Sequence, residues 1–171
     1  MQRPTSITVF GILNIVFAML GVIGLFASIA LFFAPADSNN PVIKIMHENP
    51  AYAAWLKFCI PLGLLACAAL LAAGIGLLCL KSWARKLSIA YAIYAILFGI
   101  LGMVINFFFL VRPMIEQAQQ KSGTEAAGAI GAAVGGSFGG CIGLIYPVLL
   151  LIFMLSPKVA AAFQPPPPPQ M

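Results

Sequence analysis

Three polar side chains that interrupt long apolar stretches are the best candidates for chemistry in this sequence. Asn14, Tyr94 and Tyr146 fall at similar depths in their stretches, and Pro147 would free the backbone carbonyl of Gly143 beside them. Two interpretations fit these groups. They line a small polar pocket, or they form hydrogen bonds between helices, which contribute roughly 0.6 to 2 kcal/mol each in a membrane.

The other reactive side chains lack partners. The long apolar stretches contain no Asp, Glu, Lys, Arg or His, although ionisable residues mark most proton relays and ion pathways in membranes. His47 and Glu48 have no third ligand in range, and Cys59 and Cys67 lie among apolar residues, where thiols behave as small apolar groups. No serine or threonine has a histidine or carboxylate beside it in these stretches. We therefore expect no enzyme, no metal site and no cofactor.

The composition is too apolar for a soluble domain. Hydrophobic residues make up 62% of the 171 residues and charged residues 8%, whereas about a quarter of a typical soluble domain is charged. The net charge of +5 is spread over short polar segments, so it indicates membrane topology rather than nucleic-acid binding. The sequence thus predicts an integral membrane protein in contact with the lipid bilayer, with no nucleic-acid partner.

Four apolar segments are long enough to cross a bilayer, which takes about 20 helical residues. A secretory signal is the alternative for the first, but its apolar core would be only about 7–15 residues long. In the polar connection that follows, Val42, Ile43, Ile45 and Met46 are expected on the membrane surface. The predicted fold class is all-α, an integral membrane four-helix bundle. Its helices are expected at about 7–34, 58–80, 87–111 and 126–155.

Lysines and arginines predict the orientation of the bundle. Five of them fall on the side shared by both termini and four on the other side. Three of the five cluster in the six-residue turn KSWARK, next to two helix ends, where such charges weigh most. We expect a multi-pass protein of the inner (plasma) membrane with both termini in the cytoplasm. Residues 1–158 form the membrane domain, and 159–171 form a proline-rich cytoplasmic tail.

Glycines recur at four-residue spacing in the segment 128–143, which reads GAIGAAVGGSFGGCIG. Residues four apart share one face of a helix, and small residues let helix backbones touch in a membrane. This glycine zipper predicts a helix-packing interface, to which glycines of the first and third spans contribute. Its residues are Gly128, Gly131, Gly135, Gly136, Gly139, Gly140 and Gly143 in the fourth span, and Gly21, Gly99 and Gly102 in the other two.

A shift of 81 residues lays the first span on the third and aligns two stripes of small or polar residues. Either a two-helix hairpin is duplicated in tandem, or unrelated helices obey the same packing rule. The stripes are Gly11, Asn14, Ala18, Gly21, Leu25 and Ser28 in the first span, and Ala92, Ala95, Gly99, Gly102 and Asn106 in the third.

Three flanking segments carry a family resemblance. The opening RPTSITVFGILNIVF, the turn KSWARK and the closing segment from Tyr146-Pro147 through LSPKVAAAF resemble parts of small four-span bacterial inner-membrane proteins. The resemblance implies a four-helix bundle, and it implies no activity or site.

Two functions remain open at this stage. The first is a structural or interaction protein that assembles through the glycine face of the fourth helix, with copies of itself or as an accessory subunit of a membrane complex. The second is a small transporter, channel or lipid-binding protein in which the glycine-rich half of that helix lines a path.

Overall fold

The computed structural model describes residues 5–35, 40–119, 131 and 142–163. Every regular element in that part of the chain is helical. The elements are α1 (Thr5–Leu31), α2 (Pro41–Glu48), α3 (Pro50–Leu78), α4 (Ser82–Asn106), a π-helical segment (Phe107–Val111), α5 (Arg112–Gln119), α6 (Ile142–Leu155) and α7 (Pro157–Ala162).

Three helical stretches are long and apolar enough to cross a membrane: α1, α3 and the continuous stretch Ser82–Glu116. Large apolar side chains such as Phe26 and Leu97 are exposed on their outer faces, where a bilayer would supply lipid contacts. These features indicate an all-helical membrane protein. The apolar helix α6 is shorter than a full span, and most of the predicted fourth helix that precedes it lies outside the described residues.

The central helix of the bundle is α3, because it has small residues on two faces. On one face, Gly63 and Gly74 contact α1, and on the other, Gly76 contacts Ala84 at the start of α4. Small residues on both faces let two neighbouring backbones come close. Thus α1 and α4 both pack along α3.

The closest approach of α1 and α3 lies at Gly11 and Gly74. A Cβ atom added to Gly74 would lie 2.9 Å from the backbone oxygen of Gly11 and 3.0 Å from the Cβ atom of Asn14. Farther along the same pair of helices, Gly21 contacts the sulfur of Cys67. The stripe of small and polar residues on α1 is therefore its contact surface with α3.

The helix α6 runs antiparallel to α1. The ring of Phe10 lies 4.8 Å from that of Phe153, and the ring of Phe17 lies 4.2 Å from that of Tyr146. Because the chain order of these pairs is reversed, the two helices run in opposite directions. Through Leu144, α6 also contacts α4, so it lies beside both α1 and α4.

The turn between α3 and α4 is tighter than the predicted six-residue link. The N–H of Lys81 donates to the carbonyl of Gly76 at 2.9 Å. The N–H of Leu80 donates to the carbonyl of Leu77 at 3.1 Å. Leu80 has a φ of 53°, a left-handed conformation that ends many helices and usually belongs to glycine. Its side chain packs against the buried core, and α4 begins directly afterwards at Ser82.

Two helix starts follow asparagine caps. The Oδ1 atom of Asn40 accepts the N–H of Val42 at 2.9 Å, and that of Asn49 accepts the N–H groups of Ala51 and Tyr52 at 3.1 and 3.2 Å. Asparagine caps are strongly preferred at helix starts, and proline suits the first turn that follows. As a result α3 starts at Pro50, ahead of the predicted start near residue 58.

The short helix α2 buries its apolar side chains within the protein. Ile43, Ile45 and Met46 are buried, and α2 packs against α3 and the π-helical segment. The expectation of a position on the membrane surface is therefore wrong for these three side chains, whereas Val42 is half-buried. The docking of α2 on the end of the bundle replaces lipid contacts with protein contacts.

The helix that starts at Ser82 continues past the predicted end at residue 111. Just before Pro113, the N–H of Arg112 donates to the carbonyl of Phe107, five residues back. Proline lacks an N–H and its ring crowds the carbonyl four residues earlier, here that of Phe109. The wider π turn relieves this crowding, so the chain stays helical through Gln119.

We expect Gly74→Ala to destabilise the bundle by about 1–3 kcal/mol, because the added methyl group would overlap the backbone of Gly11. Gly24→Ala is the matched control, since a Cβ atom at Gly24 meets no described atom within 4 Å, and it should cause no loss. Denaturation of the detergent-solubilised protein, followed by circular dichroism, measures both. Equal stability of the two variants would contradict the close approach of α1 and α3.

Candidate functional site

A buried polar pair joins α1 to α6. The hydroxyl of Tyr146 donates a hydrogen bond to the Oδ1 atom of Asn14, whose side chain is fully buried. Phe17 packs against the ring of Tyr146. Because this hydrogen bond is shielded from water, it is stronger than the same bond at a surface, and it holds α6 on α1.

The same amide of Asn14 retains an unused donor. Its Nδ2 atom is buried and has no acceptor among the described residues. A buried donor without a partner costs roughly 1–3 kcal/mol. Chemically, Asn14 can therefore donate one further hydrogen bond to a carbonyl or another acceptor.

Tyr94, the third residue of the predicted polar pocket, belongs to an aromatic cluster. Its ring lies 5.2 Å from that of Phe98, which lies 5.5 Å from that of Trp55. This cluster joins α4 to α3. The structure thus brings Asn14 and Tyr146 together and places Tyr94 among aromatic rings between another pair of helices. Pro147 is buried and Gly143 is exposed.

The predicted interface glycines have different surroundings. A Cβ atom added to Gly21 would lie 2.7 Å from the sulfur of Cys67, and one added to Gly99 would lie 2.6 Å from a methyl group of Leu144, so both serve contacts within the chain. A Cβ atom at Gly102, Gly131 or Gly143 meets no described atom within 4 Å. The remaining predicted positions, Gly128, Gly135, Gly136, Gly139 and Gly140, lie outside the described residues.

A second polar contact lies near the far ends of α3 and α4. The hydroxyl of Tyr52 donates to the Oδ1 atom of Asn106 at 2.9 Å, and the Nδ2 atom of Asn106 donates to the carbonyl of Gly102 at 2.8 Å. Sequence reasoning missed Tyr52 as a partner. The signal was available, because in an antiparallel hairpin Tyr52 and Asn106 stand at nearly equal sequence distances from Leu80.

Arg85 joins the start of α4 to the end of α6. Its Nε atom donates to the backbone carbonyl of Met154 at 2.9 Å. The last carbonyls of a helix lack partners within the helix and carry partial negative charge. The arginine therefore stabilises the end of α6. From the sequence alone, Arg85 was considered only as a charge that sets the membrane orientation.

The candidate ligands and thiols stay apart. His47 and Glu48 are exposed on α2, and no group of three or more metal-ligand side chains occurs within the described residues. Cys59, Cys67 and Cys79 are free thiols.

No family model matches the chain, and the comparisons with curated proteins and with solved structures give no match either. The class that the three long apolar helices indicate is an all-helical membrane protein.

Removal of the Tyr146 hydroxyl should destabilise the packing of α6. We expect Tyr146→Phe to lower stability by about 1–2 kcal/mol, because the Oδ1 atom of the buried Asn14 amide then loses its described partner, as the Nδ2 atom already lacks one. Tyr94→Phe is the control and should change stability by less than about 0.5 kcal/mol, the usual range for sites away from special contacts. Denaturation in detergent measures both, and equal losses would show that the pair has no special role.

Proposed function

We propose that this chain is a structural or interaction protein of the membrane. It assembles through the glycine face of its fourth helix, with copies of itself or as an accessory subunit of a larger membrane complex. The observation that carries the proposal is a contrast among the described glycines: neighbouring helices closely approach some of them, whereas Gly143 of the fourth helix meets no described atom within 4 Å.

Closed glycines occur where α1, α3 and α4 meet. Cβ atoms at Gly11, Gly63, Gly74 and Gly76 would each lie within 3 Å of an atom on a neighbouring helix, so the lack of a side chain is used there. At Gly143 the surrounding space is free of described atoms. Glycine weakens a helix by roughly 1 kcal/mol relative to alanine in water, and a close partner helix would compensate for that loss in a membrane.

The proposal includes four membrane spans, the last of which ends with α6. Support comes from the antiparallel packing of α6 on α1, through the ring pairs Phe10–Phe153 and Phe17–Tyr146. The proposed fourth helix begins at about residue 126. Its sequence, from 126 onward, is apolar and rich in glycine.

The unused amide donor of Asn14 favours a second candidate function, that of a small transporter, channel or lipid-binding protein. A buried donor without an acceptor is a group that a passing or bound polar molecule could use. This alternative predicts that Gly135→Leu and Gly139→Leu alter the flux of a transported molecule across the membrane of protein-containing vesicles, compared with wild type. The native mass of the protein should stay unchanged.

Native mass separates the two functions. We expect a defined oligomer, or a complex with a second protein, for the full-length wild type in mild detergent or polymer-bounded lipid discs. Gly143→Leu and Gly135→Leu should reduce it to the monomer, because a leucine side chain would hold the partner helix away. Gly24→Leu is the control, since Gly24 is open but lies on α1, and it should leave the mass unchanged.

Two results would contradict the proposal. A monomer for every variant would exclude assembly, and loss of the complex in Gly24→Leu alone would move the interface to α1. Circular dichroism and gel filtration would show that each variant is folded.

The proposal also includes a location in the inner membrane, with both termini in the cytoplasm. This orientation rests on the cluster of Lys81, Arg85 and Lys86. We expect a membrane-impermeant maleimide to label Lys44→Cys in intact cells, in a chain whose native cysteines are replaced by alanine. Ser82→Cys should react only after lysis. The reverse pattern would invert the orientation.

A further inference from the structure

Two tyrosine–asparagine pairs join helices in the described part of the chain, and they differ in one hydrogen bond. In the first pair, the Oδ1 atom of Asn106 accepts the hydroxyl of Tyr52, and its Nδ2 atom donates to the carbonyl of Gly102. In the second, the Oδ1 atom of Asn14 accepts the hydroxyl of Tyr146, and its Nδ2 atom has no acceptor among the described residues. The second pair therefore needs a neutral oxygen of the kind that the Gly102 carbonyl supplies to the first.

The helix α1 does not supply this oxygen. Elsewhere in the spans, the hydroxyls of Ser28 and Ser88 donate at 2.9 Å to backbone carbonyls four residues earlier. The corresponding carbonyl for Asn14 is that of Phe10, and the Nδ2 atom makes no hydrogen bond to it. The hydrogen bond from Tyr146 instead orients the amide towards α6. Its remaining donor is thus turned away from its own backbone and stays within the core.

The surroundings of this amide restrict what can supply the oxygen. Asn14 is 0% exposed, and the residues one turn away on the same face of α1, Phe10 and Ala18, are buried and apolar. A charged ligand would lose its hydration in such an environment at a large cost. On the α3 side, a Cβ atom on Gly74 would already lie 3.0 Å from the Cβ atom of Asn14. The oxygen therefore belongs to a small neutral molecule, and water is the smallest such molecule.

A water molecule beside this amide would close a ring of three hydrogen bonds. Its oxygen accepts the Nδ2–H of Asn14, and one of its O–H groups donates to the hydroxyl oxygen of Tyr146. That oxygen retains lone pairs while its own O–H donates to Oδ1. Buried waters make about two to four hydrogen bonds to polar groups that otherwise have no partner, and this pair provides two of them.

We propose that Asn14 and Tyr146 bind one buried water molecule between α1 and α6. The water completes the hydrogen bonds of the amide, and because the members of a shielded network strengthen one another, it holds α6 against α1 more firmly than the direct hydrogen bond alone. Such a water is a resident part of the bundle rather than a passing molecule. The site does not depend on assembly through the glycine face.

An experimental structure of the full chain, at a resolution that shows ordered water, tests the site directly. We expect a water-sized density peak at hydrogen-bond distance, about 2.5–3.2 Å, from both the Nδ2 atom of Asn14 and the hydroxyl of Tyr146. The Nδ2 atom of Asn106 is the internal control, because it already donates to the carbonyl of Gly102 and should have no such peak.

Two variants show whether the amide holds the water. Asn14→Leu keeps a side chain of similar size and removes both polar atoms, so the peak should be lost. Asn106→Leu is the matched control, because it removes the corresponding amide from the other pair and should leave the peak beside Asn14 in place. Circular dichroism shows whether each variant is folded. If Asn14→Leu does not fold, Tyr146→Phe takes its place, since it opens the ring and should lower the occupancy of the peak.

Four outcomes would overturn the proposal. Three are an absence of density beside the Nδ2 atom in wild type, a hydrogen bond from that atom to another atom of the chain, and an unchanged peak in Asn14→Leu. The fourth is a larger density together with a molecule of matching mass extracted from the purified protein, which would assign the donor to a lipid-soluble ligand. If the water is present and assembly is not, the peak would occur in a protein whose native mass is that of the monomer.

Discussion

The close approach of α1 and α3 at Gly11 and Gly74 is the contact on which the rest of the bundle depends. In lipid, apolar side chains gain little by leaving their surroundings for one another, so helix association rests on van der Waals contact and hydrogen bonds. Two facing glycines bring the backbones together and place Asn14 against Gly74. In that position, the side-chain Oδ1 atom of Asn14 accepts a hydrogen bond from the hydroxyl of Tyr146 on α6. The position of α6 thus depends on the two glycines at the contact between α1 and α3.

Local patterns predicted those parts of the fold that depend on local physics. The apolar character of α1, α3 and the stretch that begins at Ser82 is enough to predict long membrane helices, and the stripe on α1 is its surface against α3. Helix ends were predicted less well. The second span is predicted to begin near residue 58, whereas Asn49 caps α3 and Pro50 begins it. The third span is predicted to end at residue 111, whereas a π turn before Pro113 keeps the chain helical beyond it.

The candidate site shows why depth alone does not predict a contact. Asn14, Tyr94 and Tyr146 were grouped because they lie at similar depths, but a contact also requires that the side chains face each other around their helix axes. Tyr146 and Asn14 do so, while Tyr94 faces Phe98 and α3. Rotation about the axis follows from the packing of all neighbouring helices, which no single segment of sequence contains. The pair Tyr52–Asn106 differs, because its nearly equal distances from the turn between α3 and α4 can be read from the sequence.

The two ends of the bundle satisfy their polar groups in opposite ways. At the end that holds α2, asparagine side chains cap two helices, Tyr52 bonds Asn106, and Arg112 pairs with Glu116. At the other end, α4 begins at a lysine without a side-chain cap. An asparagine, serine or aspartate at that position would add roughly 1 kcal/mol of helix stability. Because the same chain uses such caps twice elsewhere, the lysine at this helix start is a departure from its own pattern.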